Sequence, residues 1–253
     1  VITDIGGHAI FYFRPGNDAG IAEITVYAGE GMGTATITLL ACEPSRIDLT
    51  VNPRNIPANT GQSTVRAILS DEHGNLAESL ETVVFEIIGE PGLPEGSTFS
   101  NESQTFMTRA SNGVAVAIIN AGTLPGIKTI RAYTWRDSAA NPNDIIETTI
   151  SSLTVEPTVA AHIEISVNDE GVDAGGGAWI IEVSALVTDE FDNPLIDRIP
   201  VVFSIDLQDA NINPGFTGNQ NRDGETIPGV AFTDLVYNGV NSGDTLTITA
   251  TVR

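Results

Sequence analysis

The sequence predicts an all-β protein, a set of Greek-key β-sandwiches laid end to end with helix content near zero. Three observations carry this. Apolar and polar residues alternate with period two wherever a pattern is clear, and no window shows the 3.6-residue period of an amphipathic helix. Turn-forming residues punctuate the chain about every eight to twelve residues, the spacing of short strands in a sandwich. The third observation is a repeat: GHAIFYFRPGNDAGIAEITVYA opens at Gly7, GVAVAIINAGTLPGIKTIRAYT at Gly113, and GVAFTDLVYNGVNSGDTLTITA at Gly229. A second glycine follows 13 residues on at Gly20, 13 on at Gly126 and 14 on at Gly243. Intervals of 106 and 116 residues between copies are too long for a solenoid unit and suit tandem sandwiches.

From the N terminus, residues 1–43 read as the C-terminal strands of a truncated domain: the strands marked by Gly7 and Gly20, then a closing strand over 33–40. Residues 44–156 read as a complete domain. Its opening strand, 46–51, puts Ile47, Leu49 and Val51 on one face. A strand from Val65 runs into the turn Asp71-Glu72-His73-Gly74-Asn75. Val83-Val84-Phe85 then places an aromatic ring at the sandwich centre, and a long polar loop over 89–101 leads to the strands at Gly113 and Gly126. The strand over 146–155 closes the set. Residues 157–253 repeat this order without the closing strand: Ile163, Ile165 and Val167 face inward, the strand from Val183 enters the turn Asp189-Glu190-Phe191-Asp192-Asn193, and Val201-Val202-Phe203 follows. A polar loop over 208–225 precedes the strand at Gly229.

The turns have a chemical cause. Asp71 and Asp189 can accept hydrogen bonds from backbone amides two residues on, while Gly74, Asn75, Asp192 and Asn193 tolerate positive φ. Ala41-Cys42-Glu43-Pro44 and Glu156-Pro157-Thr158 stand at equivalent places as connectors, each stiffened by a proline. Connectors this short predict an extended rod with restricted bending. Three strands in residues 1–43 would expose an apolar face and an unpaired edge, so the missing strands are expected from polypeptide outside this chain.

Acidic residues number 33 against 11 basic ones, a net charge of −22, and Lys128 is the single lysine. Such a field repels phosphate backbones and anionic lipid, which argues against nucleic-acid or membrane-surface binding and for a solvated coat. Cys42 is the lone cysteine, so no disulfide can form within the chain. No apolar run approaches the roughly 20 residues that span a bilayer as a helix.

Little in the sequence points to catalysis. His8, His73 and His162 fall at a strand start, in a turn and in an opening strand, too scattered for a zinc site or a nucleophile with its base. Gly175-Gly176-Gly177 precedes a strand, where a phosphate cradle would precede a helix. The acidic loops are the one metal candidate: Asp169, Glu170 and Asp173 in one, Asp189 and Asp192 in the other, are the carboxylates a hard cation such as calcium prefers. Neither loop has the twelve-residue calcium-loop pattern, and turn formation accounts for the same residues. Otherwise no cofactor is expected. Trp135 and Trp179 are candidates for a sugar-stacking platform or for core packing.

The series Ala67, Asp71, Gly74-Asn75, Val83-Val84-Phe85, Gly113 and Ala115, repeated as Ala185, Asp189, Asp192-Asn193-Pro194, Val201-Val202-Phe203, Gly229 and Ala231, resembles the group 1 bacterial immunoglobulin-like domains of invasin and intimin. The resemblance spans residues 45–253, and residues 1–43 resemble the tail of the same domain. Asp192 departs from the usual glycine, and the 208–225 loop is unusually long. The resemblance implies tandem immunoglobulin-like sandwiches in a non-enzymatic, extracellular stalk, adhesin shaft or surface-layer element that holds a binding module away from the cell. Its implied partners are neighbouring domains of the same kind, in the same or other copies, and a host protein or glycan. Two alternatives stay open: an adhesive module that binds glycan or protein through the 208–225 loop or the tryptophans, and a filament subunit assembled by β-strand addition.

Overall fold

The computed structural model describes residues 2–252 apart from 78–79, 137–143, 197, 207–208 and 239–244, and strands are the regular elements throughout the described residues. Two separate apolar cores form, with a two-stranded hairpin ahead of them. The hairpin joins β1 (Gly20–Ala28) to β2 (Gly31–Leu39), antiparallel and in unbroken register from Gly20 opposite Leu39 to Ala28 opposite Gly31.

The first core lies between two sheets. The strands are β3 (Arg46–Asn52), β4 (Asn55–Pro57), β5 (Gln62–Ser70), β6 (Thr82–Ile88), β7 (Thr98–Phe99), β8 (Thr105–Arg109), β9 (Val114–Asn120), β10 (Gly126–Trp135) and β11 (Ile145–Glu156). One sheet runs β3-β5-β9-β7 and the other β4-β11-β10-β6-β8, so each crossover carries the chain from one sheet to the other. All pairings are antiparallel except β4 with β11. The two-residue period decides which side chains enter: Ile47, Val51, Val65, Ala67 and Leu69 from one sheet meet Val83, Phe85, Ile130, Ala132, Leu153 and Val155 from the other, all buried. Phe85 is fully buried, its ring 6.2 Å from that of Phe99, which lies 5.9 Å from Phe106. Aromatic rings in such tilted pairs add to the burial of their own area.

The second core repeats the plan with β12 (His162–Val167), β13 (Val172–Gly175), β14 (Ala178–Thr188), β15 (Pro200–Ile205), β16 (Ala210–Ile212), β17 (Gly215–Phe216), β18 (Val230–Asn238) and β19 (Ile248–Val252). One sheet runs β12-β14-β18-β16 with β13 also on β14, and the other runs β17-β15-β19. Among the described residues β19 bonds on one side only, to β15, where β10 in the first core bonds on both sides.

The first glycine of each repeat has a packing cause. Gly113 and Gly229 sit at φ near +72° and +73° with their carbonyls accepting from Leu69 and Val187. A Cβ on Gly113 would lie 2.9 Å from the Leu69 carbonyl oxygen, and one on Gly229 would lie 2.5 Å from Pro194 Cβ. The chain leaving each aspartate turn crosses these glycines and leaves no room for a side chain. Gly243 lies outside the described residues.

Two expectations need correction. The segment after Gly7, expected as a strand, has no ladder: its counterpart β9 bonds to β5 and β7, and no such neighbours flank it among the described residues. The alternation survives without the bonds, with Phe11 and Phe13 less exposed than Ile10 and Tyr12. The loops expected over 89–101 and 208–225 contain the short strands β7, β16 and β17, which edge the sheets.

Candidate functional site

Of the carboxylates singled out from the sequence, Asp173 and Asp189 accept hydrogen bonds on their own loops, while Asp169, Glu170 and Asp192 are exposed. Asn168 Oδ1 accepts from the Glu170 amide at 3.0 Å, and Asp173 Oδ1 accepts from the Gly175 amide at 2.8 Å. Asp192 is the left-handed residue of its turn, at φ 62°, and its amide donates to the Asp189 carbonyl at 3.2 Å. Asp189 is fully buried: Oδ1 accepts from the amides of Phe191 and Asn193 at 2.9 and 3.0 Å, while Oδ2 accepts from Asn193 Nδ2 and the Thr158 amide at 3.0 Å each. Among the described residues no three His, Cys, Asp or Glu side chains come together in a way that could hold a metal ion.

Asp71 has the same environment, accepting from the amides of His73, Asn75 and Cys42 and from Asn75 Nδ2 at 2.9 to 3.0 Å. The hydrogen bond from the Asn75 side chain, helped by the three amides against the effect of burial, holds its pKa down at about 2. At Asp189 burial pushes upward, but the Asn193 side chain and the amides of Thr158, Asn193 and Phe191 outweigh it and the pKa is lowered. Both groups are therefore anions at neutral pH, and their hydrogen bonds are charge-assisted.

Lys128, noted in the sequence only for its rarity, turns out to be a core residue. Its side chain is 2 % exposed, and the ammonium lies 2.9 Å from Glu90 Oε1 and donates to the Leu124 carbonyl at 3.0 Å. Glu90 also accepts from the Ser97 amide at 3.0 Å, so the pair is satisfied on both sides. No local pattern announces the pair, because the partners lie 38 residues apart on a loop and a strand.

The outward-facing residues singled out from the sequence map to two modest surfaces. On β10, Arg131, Tyr133 and Trp135 alternate outward; the guanidinium sits 4.9 Å from the Tyr133 ring centroid, and Tyr133 meets Trp135 edge-on at 5.6 Å. Glu86 and Glu147 flank Arg131 and raise its pKa, the hydrogen bond that the guanidinium donates to Glu147 contributing most. Partial burial and the charge of Glu86 push the Tyr133 phenol up. Trp179 lies on β14, 42 % exposed and so well outside the core. The second surface is a groove of about 260 Å³ bordered by Gln220, Asn221 and Arg222 of the long loop. Arg222 closes it, with Nε on Asp234 at 2.8 Å and its amide on Glu182 at 2.8 Å. Cys42 is a free, exposed thiol. His73 Nε2 is 3.5 Å from Glu72, and His162 begins β12.

These sheets and their strand order define an all-β protein of immunoglobulin-like sandwiches, in which β3-β5-β9-β7 and β11-β10-β6-β8 reproduce the two immunoglobulin sheets. Among solved structures, the Escherichia coli adhesin FdeC is similar at a TM-score of 0.54 and 17 % identity, over 94 % of this chain and 70 % of that one. InvD of Yersinia pseudotuberculosis gives a TM-score of 0.49 at 17 % identity over 83 % of this chain and 58 % of its own. Invasin, a bacterial integrin-binding protein, gives 0.34 at 16 % identity over 81 % of this chain and 36 % of its own. No protein-family model and no curated protein sequence matches the chain. The fold is therefore shared with FdeC, and no helix among the described residues is long and apolar enough to cross a membrane.

Proposed function

We propose that this chain is a non-enzymatic, extracellular structural segment, a stalk, adhesin shaft or surface-layer element whose modules space or present a binding module. Its modules are residues 1–43, 44–156 and 157–253. The observation that carries this reading is the repetition of one side-chain-filled sandwich with a connector of a few residues between β11 and β12. A filled core with its ionisable groups committed to turns and ion pairs suits mechanical spacing, and the fold likeness to an adhesin supports a cell-surface setting. Small-angle scattering from the purified chain should give an elongated particle, and the chain should bind neither glycan arrays nor cultured cells. A compact particle, or saturable binding, overturns the reading.

A second reading, an adhesive module, is favoured by the exposure of Trp179 and by the Arg131-Tyr133-Trp135 stripe. Glycan binding that disappears in Trp179→Ala supports it. Binding by neither form removes that platform.

A further inference from the structure

Each of the two aspartate turns reaches beyond its own core. At the first, Asp71 Oδ2 holds the Cys42 amide of the preceding connector at 3.0 Å. The neighbouring Asn75 spans to the hairpin, accepting the Ala19 amide on Oδ1 at 2.9 Å and donating Nδ2 to the Asn17 carbonyl at 2.7 Å. At the second, Asp189 Oδ2 holds the Thr158 amide of the next connector at 3.0 Å, and Asn193 Nδ2 donates to the Thr123 carbonyl of the first core at 2.8 Å. The acceptors match in place as well as in kind: Asn17 and Thr123 each stand three residues before the repeat's second glycine, Gly20 and Gly126.

We propose that the Asp-x-x-x-Asn turn is a repeated junction clamp, an interaction surface whose partner is the backbone of the loop ahead of the second glycine in the neighbouring unit, and that it fixes the angle between successive units. The division of labour on the carboxylate is what makes it a clamp. In both turns Oδ1 gathers the two amides that build the turn, while Oδ2 takes the connector amide and the asparagine Nδ2. The same ion that shapes the turn thus orients the asparagine toward the next unit. Because the partner groups are backbone amides and carbonyls, the clamp makes no demand on the neighbour's side chains, and Asn17 and Thr123 serve equally. A proline connector alone limits reach but leaves rotation about its flanking bonds. Further bonds on a separate loop, two at the first junction and one at the second, remove that freedom.

The clamp goes beyond the spacer reading and fails separately from it: ligand binding would overturn the spacer and leave the clamp standing. The test uses the whole chain in a Cys42→Ser background with spin labels at Met107→Cys and Ser166→Cys, one on each core. The interlabel distance distribution should be narrow, and Asn193→Ala should widen it at least twofold. Asn221→Ala, which removes an equivalent turn bond to the Glu225 amide inside the second core, should leave it unchanged. An unchanged width in a folded Asn193→Ala protein overturns the proposal. Amide exchange in the unsubstituted chain gives a readout that needs no variant: Thr158 should exchange at least tenfold more slowly than Val159 beside it in the same connector. Equal exchange at the two overturns the clamp whatever the variants do.

Discussion

The two cores share a plan and differ in closure. The first sets a four-stranded sheet against a five-stranded one, and its β11 covers β3 and flanks β10. In the second, β19 has a partner on one side only among the described residues, and Ile163, Ile165, Ile248 and Val252 are only partly buried. The same inward pattern therefore gives a larger buried interior in one case and, in the other, a smaller one edged by partly buried side chains. Alternation selects which side chains point inward, but a neighbouring strand decides whether they leave water. The hairpin is the limiting case, with Val26, Tyr27 and Met32 exposed.

The largest effect that separates the cores should come from the matched phenylalanines. Phe85→Ala should lower the stability of the first core by about 3–5 kcal/mol, and Phe203→Ala should cost the second clearly less, because the partly buried side chains packed against that core can collapse into the space. Denaturant unfolding with two resolved transitions measures both; equal losses would break the comparison. Next comes the buried Lys128–Glu90 pair, which has no buried counterpart among the described residues of the second core. Glu90→Gln should cost the first core about 3 kcal/mol by leaving a buried ammonium without its counter-charge, whereas Glu90→Gln with Lys128→Met should recover most of the loss. A double variant as unstable as the single one would show that the pair's neighbours, not its charges, matter.

Acid sharpens the comparison at the shared turns. The folded pKa of Asp71 lies below its ordinary value of 3.8, so its contribution is complete above about pH 4 and is lost as pH falls toward 2. Asp189 is depressed too and loses its contribution in the same direction. Asp71→Ala should flatten the acid limb of the first transition without changing that of the second, and identical limbs in variant and parent would count against it. The smallest effect is expected at Arg222→Ala. Its exposed pair with Asp234 should be worth at most about 1 kcal/mol to the second core and nothing to the first.

Much of this was legible because sandwiches write their inward faces as alternation. Arg46–Asn52, His162–Val167 and the strands carrying Phe85 and Phe203 stand where the pattern puts them. The turn role of Asp71 was legible from residue chemistry, since its bond to the His73 amide is local. Its second role was not: the bond to Cys42 crosses 29 residues, and nothing local marks the carboxylate oxygen that makes it. Short edge strands escaped for a different reason. Thr98–Phe99 and Gly215–Phe216 have two residues each, too few to display a period, though a lone phenylalanine in a polar stretch was a usable hint. The segment after Gly7 shows the converse, a pattern with no ladder to realise it.

The burial of Lys128 gives the folded chain an unusual chemical exterior: every cationic side chain it offers apart from histidine is a guanidinium. Acylating reagents should find no side-chain amine to attack until the first sandwich opens. The rate of modification at that one nitrogen would then serve as a clock for the opening of a single module, read by mass with no label and no engineered residue.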